Sequence, residues 1–145
     1  MAIRFYRINE PYGEFSNFWR QEFELDGAPW PTTEHYFQAQ KFAGTGHVET
    51  VRLAPTPRDA ARIGRDRGLP LRPDWEEVKE DVMRRALRAK FAQNEPLKQL
   101  LLSTGDEELI ETTTDDTYWG CGTEGHGQNR LGVLLMELRK ILKPA

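Results

Sequence analysis

The longest periodic run of apolar positions is Trp75, Val78, Val82, Met83, Ala86, Leu87 and Phe91, spaced three and four apart, which predicts an amphipathic helix. Asp74 precedes it and Glu77 lies three residues on, the form of a capping box, so the helix is expected to start at Asp74. Leu131, Leu134, Leu135, Leu138 and Ile141 repeat in the same way and predict a last helix from Arg130 to about Leu142. Between the two, Asn94-Glu95-Pro96 opens a shorter helix with Leu97, Leu100 and Leu101 inward and Gly105 as its stop. Nearer the N-terminus, Phe23-Glu24-Leu25 and Ala28-Pro29-Trp30 flank Asp26-Gly27, a two-residue hairpin signal. Pro31-Thr32-Thr33 offers a threonine cap for a helix running to about Ala43, where Gly44 and Gly46 end it. A further helix is announced by Thr56 as cap, Pro57 in its first turn and Asp59 at its electropositive end, with Gly64 or Gly68 closing it. Leu109 to Thr114 is rich in β-branched residues and suits a short strand. Strands and helices do not alternate, so a parallel doubly wound sheet is not expected. The expected fold is mainly α (α+β), multihelical, with a small antiparallel β element.

Composition narrows this further. The length of 145 residues fits one domain with one core, residues 1–145. A net charge of −3 argues against coating a nucleic-acid backbone, yet a small phosphorylated ligand needs only a local positive pocket. Arg58, Arg62, Arg65, Arg67 and Arg72 form the one basic stretch, and a solvated face is the ordinary reading for most of them. Cys121 has no partner in the chain, which favours a reducing compartment, and a cytoplasmic location is expected. Met1 to Arg7 lacks an apolar leader and no apolar run is long enough for a bilayer, so neither export nor membrane insertion is expected. His35, His47, His126 and Cys121 have no metal-ligand spacing, so no metal or cofactor is expected.

Three constellations could carry chemistry. Glu34, Gln38 and Lys41 fall four and three apart on one helical face that also holds Phe37. A solvated stripe is the usual meaning of such a pattern, but the opposite stripe, Tyr36, Ala39, Gln40 and Ala43, is not more apolar. Turned inward, Glu34 has the address of an acid or base, and Lys41, once its proton affinity is depressed, that of a nucleophile toward an open-chain sugar imine. The second constellation is Trp75, Lys79 and Met83, one turn apart, where Lys79 is either a snorkelling edge residue or a ligand contact. The third is the glycine-rich loop from Tyr118 to Arg130, whose backbone amides at a helix start are expected to cradle phosphate, with Trp119 placed to stack on a base. Gly120 to Gly125 fits G-x-G-x-x-G, but too little chain follows for a dinucleotide-binding unit. Asp115 and Asp116 offer either a second carboxylate to pair with Glu34 or a turn.

Taken in order, Gly13-Glu14-Phe15-Ser16-Asn17-Phe18, Trp30-Pro31-Thr32-Thr33-Glu34-His35-Tyr36-Phe37-Gln38-Ala39-Gln40-Lys41-Phe42, Trp75-Glu76-Glu77-Val78-Lys79 with Met83, Tyr118-Trp119-Gly120 and Asn129-Arg130-Leu131-Gly132 resemble the NADAR (YbiA-like) family over almost the whole chain. The resemblance implies hydrolysis of an N-glycosidic bond in phosphorylated ribosylamino-pyrimidine intermediates of riboflavin synthesis, releasing ribose 5-phosphate. Other members remove ADP-ribose from guanine in nucleic acid, and a non-catalytic module binding NAD or ADP-ribose is a third possibility. It further implies catalytic roles for Glu34 and Lys41. The matching positions Asn17, Gln38, Trp75, Lys79, Trp119, Asn129 and Arg130, with Gly120, would bind substrate, the two tryptophans enclosing the base and Asn129, Arg130 and the loop holding phosphate; the basic stretch adds Arg65 for phosphate, and Asp116 is kept as a substrate contact. The implied partner is a small phosphorylated ribosyl substrate or ADP-ribosylated guanine, and no cofactor is implied.

Overall fold

The computed structural model describes residues 2–113, 115–122 and 125–144. Thr114, at the end of the expected strand, and Thr123 and Glu124 of the glycine-rich loop lie outside the described residues. The chain forms two compact units, one of residues 20–93 and one of residues 1–19 with 94–145.

In the first unit, β2 (Phe23–Leu25) and β3 (Ala28–Trp30) pair antiparallel, Phe23 opposite Trp30. Asp26 and Gly27 both have positive φ, 55° and 78°, which is what a tight hairpin turn with the right-handed strand twist requires. Tyr36 and Arg85 both bond to the Asp26 carboxylate, fixing the turn. Helix α1 (Thr33–Gln40) is capped as expected, the Thr32 hydroxyl accepting from the His35 amide at 3.1 Å. Every residue from Thr32 to Ala39 is buried, because α1 is surrounded by β3, α2 (His47–Arg52), α3 (Pro57–Gly64) and α4 (Trp75–Ala92). Helix α2 has no counterpart in the sequence reading. It buries only Val51, so no apolar stripe announces it.

Helix α4 follows the expected stripe, but its capping box does not form. Asp74 is instead gripped by both guanidinium arms of Arg72, at 2.6 and 3.0 Å, and makes no side-chain cap bond. A two-point charge-assisted pair outweighs a single bond to an amide, which explains the exchange. Arg72 also donates from its backbone to the Lys41 carbonyl at 2.9 Å, and its guanidinium approaches the Gln40 carbonyl, closing the C-terminal end of α1.

The second unit holds α5 (Glu95–Ser103), α6 (Arg130–Leu142) and a two-stranded sheet of β1 (Ala2–Phe5) with β4 (Glu108–Glu111). This sheet is parallel, Ala2 opposite Glu108 and Phe5 opposite Glu111, and was not anticipated beside the antiparallel hairpin. Its strands come from opposite ends of the chain, beyond the range of any local pattern. Helix α6 packs on β4, and α5 packs on α6. Among the described residues no helix is long and apolar enough to cross a membrane.

His35 is fully buried. The Thr32 hydroxyl contacts Nδ1 at 2.8 Å and the Ala54 carbonyl lies 3.0 Å from Nε2. A carbonyl can only accept, so Nε2 carries a hydrogen, and burial favours the neutral ring. Burial holds its proton affinity below the ordinary value of 6.5, with the Ala54 carbonyl acting in the opposite sense. The unfolded chain therefore takes up this proton first as pH falls, and the stability the neutral ring contributes is present above about pH 6.5 and lost below it. In urea unfolding, the midpoint should fall between pH 7.5 and 5.5, and fall less in His35→Gln.

Candidate active site

Of the expected site residues, Glu34, Gln38, Lys41, Arg65, Trp75 and Lys79 belong to the unit of residues 20–93. Asn17, Asp116, Trp119, Gly120, Asn129 and Arg130 belong to the other.

In the first unit the α1 face is inward. Glu34 is 7% exposed and Gln38 4%, and the Gln38 Nε2 donates to Glu34 Oε2 at 2.7 Å. Lys41 is half-buried, donates to the Gly64 carbonyl at 3.2 Å and holds its ammonium 5.8 Å from the centre of the Trp75 ring. Its proton affinity is lowered, first by desolvation and also by the charge of Arg65, while Glu34 and Glu76 pull the other way. A lysine so placed has more neutral amine available than one in water. Arg65 is exposed at the end of α3, close enough for its charge to reach Lys41. Buried carboxylate, depressed lysine and exposed guanidinium thus gather on one patch.

The other two expectations in this unit meet ordinary packing. Trp75 is 6% exposed, edge-on to Phe37 at 5.0 Å, and so is a core residue with little ring face left for a base. Lys79 pairs with Glu76 on its own helix at 2.7 Å and lies at the edge of the apolar stripe. Sequence reasoning read Gly64 only as a helix terminator, yet its carbonyl receives Lys41.

In the second unit the described amides at the start of α6, expected to cradle phosphate, are bonded within the protein. The amides of Gln128, Asn129, Arg130 and Leu131 donate to the carbonyls of Thr117, Gly120, Tyr118 and Trp119, so the start of α6 is closed by its own loop. The amides of Cys121 and Gly122 go to Glu111 and Thr113. Gly120 is buried and has no room for a side chain, since a Cβ there would lie 2.2 Å from the Thr113 methyl. Asn129 is likewise committed: in the left-handed conformation, φ 51°, its carboxamide accepts from the Glu111 amide at 3.0 Å and donates to the Leu109 carbonyl at 2.8 Å, extending β4 like another strand. Asp116 forms a turn, its Oδ1 accepting from the amides of both Tyr118 and Trp119 at 2.8 Å. Trp119 is half-buried and edge-on to Tyr118. Asn17 is buried near the short helical turn Gly13–Phe15, and Arg130, half-buried, opens α6. An open cleft of about 580 Å³ lined by Ala2, Thr104, Gly105, Asp106, Glu107 and Glu108 is acidic and unsuited to a phosphate. Among the described residues no group of His, Cys, Asp and Glu could hold a metal ion.

The family model described as the NADAR domain matches residues 4–143. The chain is 55% identical to N-glycosidase YbiA of Escherichia coli (strain K12), over 97% of this chain and 88% of that protein. It is 42% identical to N-glycosidase Npun_R5314 of Nostoc punctiforme, over 99% of this chain and 94% of the relative. It is also 44% identical to a chloroplastic riboflavin biosynthesis protein, PYRR, of Zea mays, of which it spans 24%. The NMR structure of E. coli YbiA superposes with a TM-score of 0.90, covering 97% of this chain and 84% of that one.

Proposed function

The chain belongs to the NADAR family, and on that footing we propose that it hydrolyses the N-glycosidic bond of phosphorylated ribosylamino-pyrimidine intermediates of riboflavin biosynthesis, releasing ribose 5-phosphate. It is a hydrolase acting on N-glycosyl bonds, the activity carried in the names of relatives at 55% and 42% identity. The riboflavin assignment draws on the name of the Zea mays relative. The observation that carries the reading is the pairing on α1 of a buried carboxylate, Glu34, with a lysine whose proton affinity is lowered by burial.

A ribosylamine opens to an imine at C1′, and that carbon is the electrophile. The Lys41 amine adds to C1′ and the base nitrogen leaves with a proton, so one C–N bond forms as another breaks. Water then adds to the lysine imine, Glu34 taking its proton and passing it to Nζ as the C1′–Nζ bond breaks and the sugar aldehyde is freed. Arg65, exposed beside Lys41, suits the substrate phosphate. Among the described residues, the amides from Gln128 to Leu131 at the start of α6 are already bonded to loop carbonyls.

The test is a mass-spectrometric assay of the purified protein with a ribosylamino-pyrimidine phosphate and, in parallel, ADP-ribosylated guanosine. Ribose 5-phosphate from the first alone is the expected result. ADP-ribose from the second would move the chain to removal of a nucleic-acid modification, and silence on both with retained ADP-ribose binding would make it a binding module. Borohydride added during turnover should fix the sugar to the wild-type protein and not to Lys41→Ala; no trapping in the wild type would remove the imine from the scheme.

A further inference from the structure

Gln38 lies between Glu34 and Gly64. Its Nε2 donates to Glu34, and its Oε1 is buried and has no hydrogen-bond partner among the described residues. That oxygen rests against Gly64, where an added Cβ would stand 1.9 Å from Oε1, 2.7 Å from Cδ and 3.0 Å from the Gln38 Cβ. The glycine is required here for space. The same residue accepts the Lys41 ammonium through its carbonyl at 3.2 Å. One backbone position at the end of α3 therefore seats the neighbours of both reactive groups.

A carboxylate only accepts, so the amide nitrogen must face Glu34, and the oxygen is left against Gly64 without a donor among the described residues. An apolar side chain of the same length would fill that space without burying an unsatisfied oxygen. We infer that Gln38, seated on Gly64, is a positioning residue: its carboxamide holds the Glu34 carboxylate in the orientation in which it works with Lys41, and it does not touch substrate. This rests on the proposed roles of Glu34 and Lys41. The carboxamide also suits the second state of the cycle, because when Glu34 carries the proton taken from water, a turned-over Gln38 presents Oε1 as the acceptor.

Gln38→Met removes the donor at nearly constant volume. Gly64→Ala expels the carboxamide while leaving Gln38 in the sequence, and the obstructed atoms are mostly the far end of a flexible side chain, so the fold should absorb the change. With the ribosylamino-pyrimidine phosphate, both variants should lose kcat on the order of 10²-fold, as a small misplacement near the chemistry does, with KM within about twofold. The acidic limb of the pH–rate profile should move to higher pH, because a hydrogen bond to the charged form has been lost. A raised KM with an unmoved profile would make Gln38 a substrate contact and overturn the inference, as would unchanged kcat and profile. If the wild type hydrolyses neither substrate, the proposed function fails, and carboxyl ¹³C NMR titration still decides this point. An upward-shifted Glu34 titration in both variants sustains the positioning role; curves coincident with wild type overturn it.

Discussion

Glu34→Gln should lower kcat for N-glycosidic hydrolysis by about 10²–10⁴-fold, the range a positioned acid or base supplies, with the fold intact. The side chain is buried, so the substitution keeps its volume and still offers an oxygen to the Gln38 amide. What is lost is the ability to take and return a proton at the α1 face where Lys41 lies. Substrate affinity should change little, because the basic groups suited to the phosphate, Arg65 among them, are untouched. Steady-state kinetics with a thermal unfolding scan checks both halves. Full activity in a folded variant would remove Glu34 from the chemistry and return it to a structural role.

Gly132→Ala should destabilise the protein by about 1–3 kcal/mol or more, the usual cost of overpacking a tight contact. A Cβ there would lie 2.0 Å from the Leu109 carbonyl and 2.5 and 2.7 Å from the Asn129 carboxamide. The first obstacle is strand backbone, which cannot swing aside, and the second is the group that extends β4. The clash therefore separates α6 from β4 and breaks the two Asn129 bonds together. Gly46→Ala is the control: no atom lies within 4 Å of its added carbon, and the change should stay within about 0.5 kcal/mol. Equal urea midpoints for Gly132→Ala and wild type would show that α6 does not need this close approach.

How far the sequence carries depends on the range of the interaction concerned. The Asp26-Gly27 turn, the Thr32 and Thr56 caps, and the helices Trp75–Ala92 and Arg130–Leu142 are settled by residues a few positions apart, and they fall where the pattern predicts. The capping box at Asp74 gives way to an even more local contact: Arg72, two residues back, is the stronger partner. The alignment of Glu34, Gln38 and Lys41 on one face is a property of helical spacing and was legible. That the face points inward was not, since its apolar and polar stripes are nearly balanced and only the surrounding α2, α3 and α4 bury it.

The glycine-rich loop shows the limit most clearly. Its composition suggests free amides at a helix start, and the tertiary structure bonds the amides of Gln128 to Leu131 to carbonyls of residues 117–120. Asn129 and Asp116 carry the right chemistry for a ligand, and each also accepts from a backbone amide. The sequence by itself determined every helix but α2, the hairpin and the chemical groups on offer, because periodicity and capping act over one or two turns. Only the tertiary structure decided which groups are buried, which are already bonded, and that Gly64 meets both Gln38 and Lys41. Burial and most of this pairing join residues beyond the reach of one or two helical turns, as Lys41 with Gly64 and Asn129 with Glu111 do, and periodicity does not encode them.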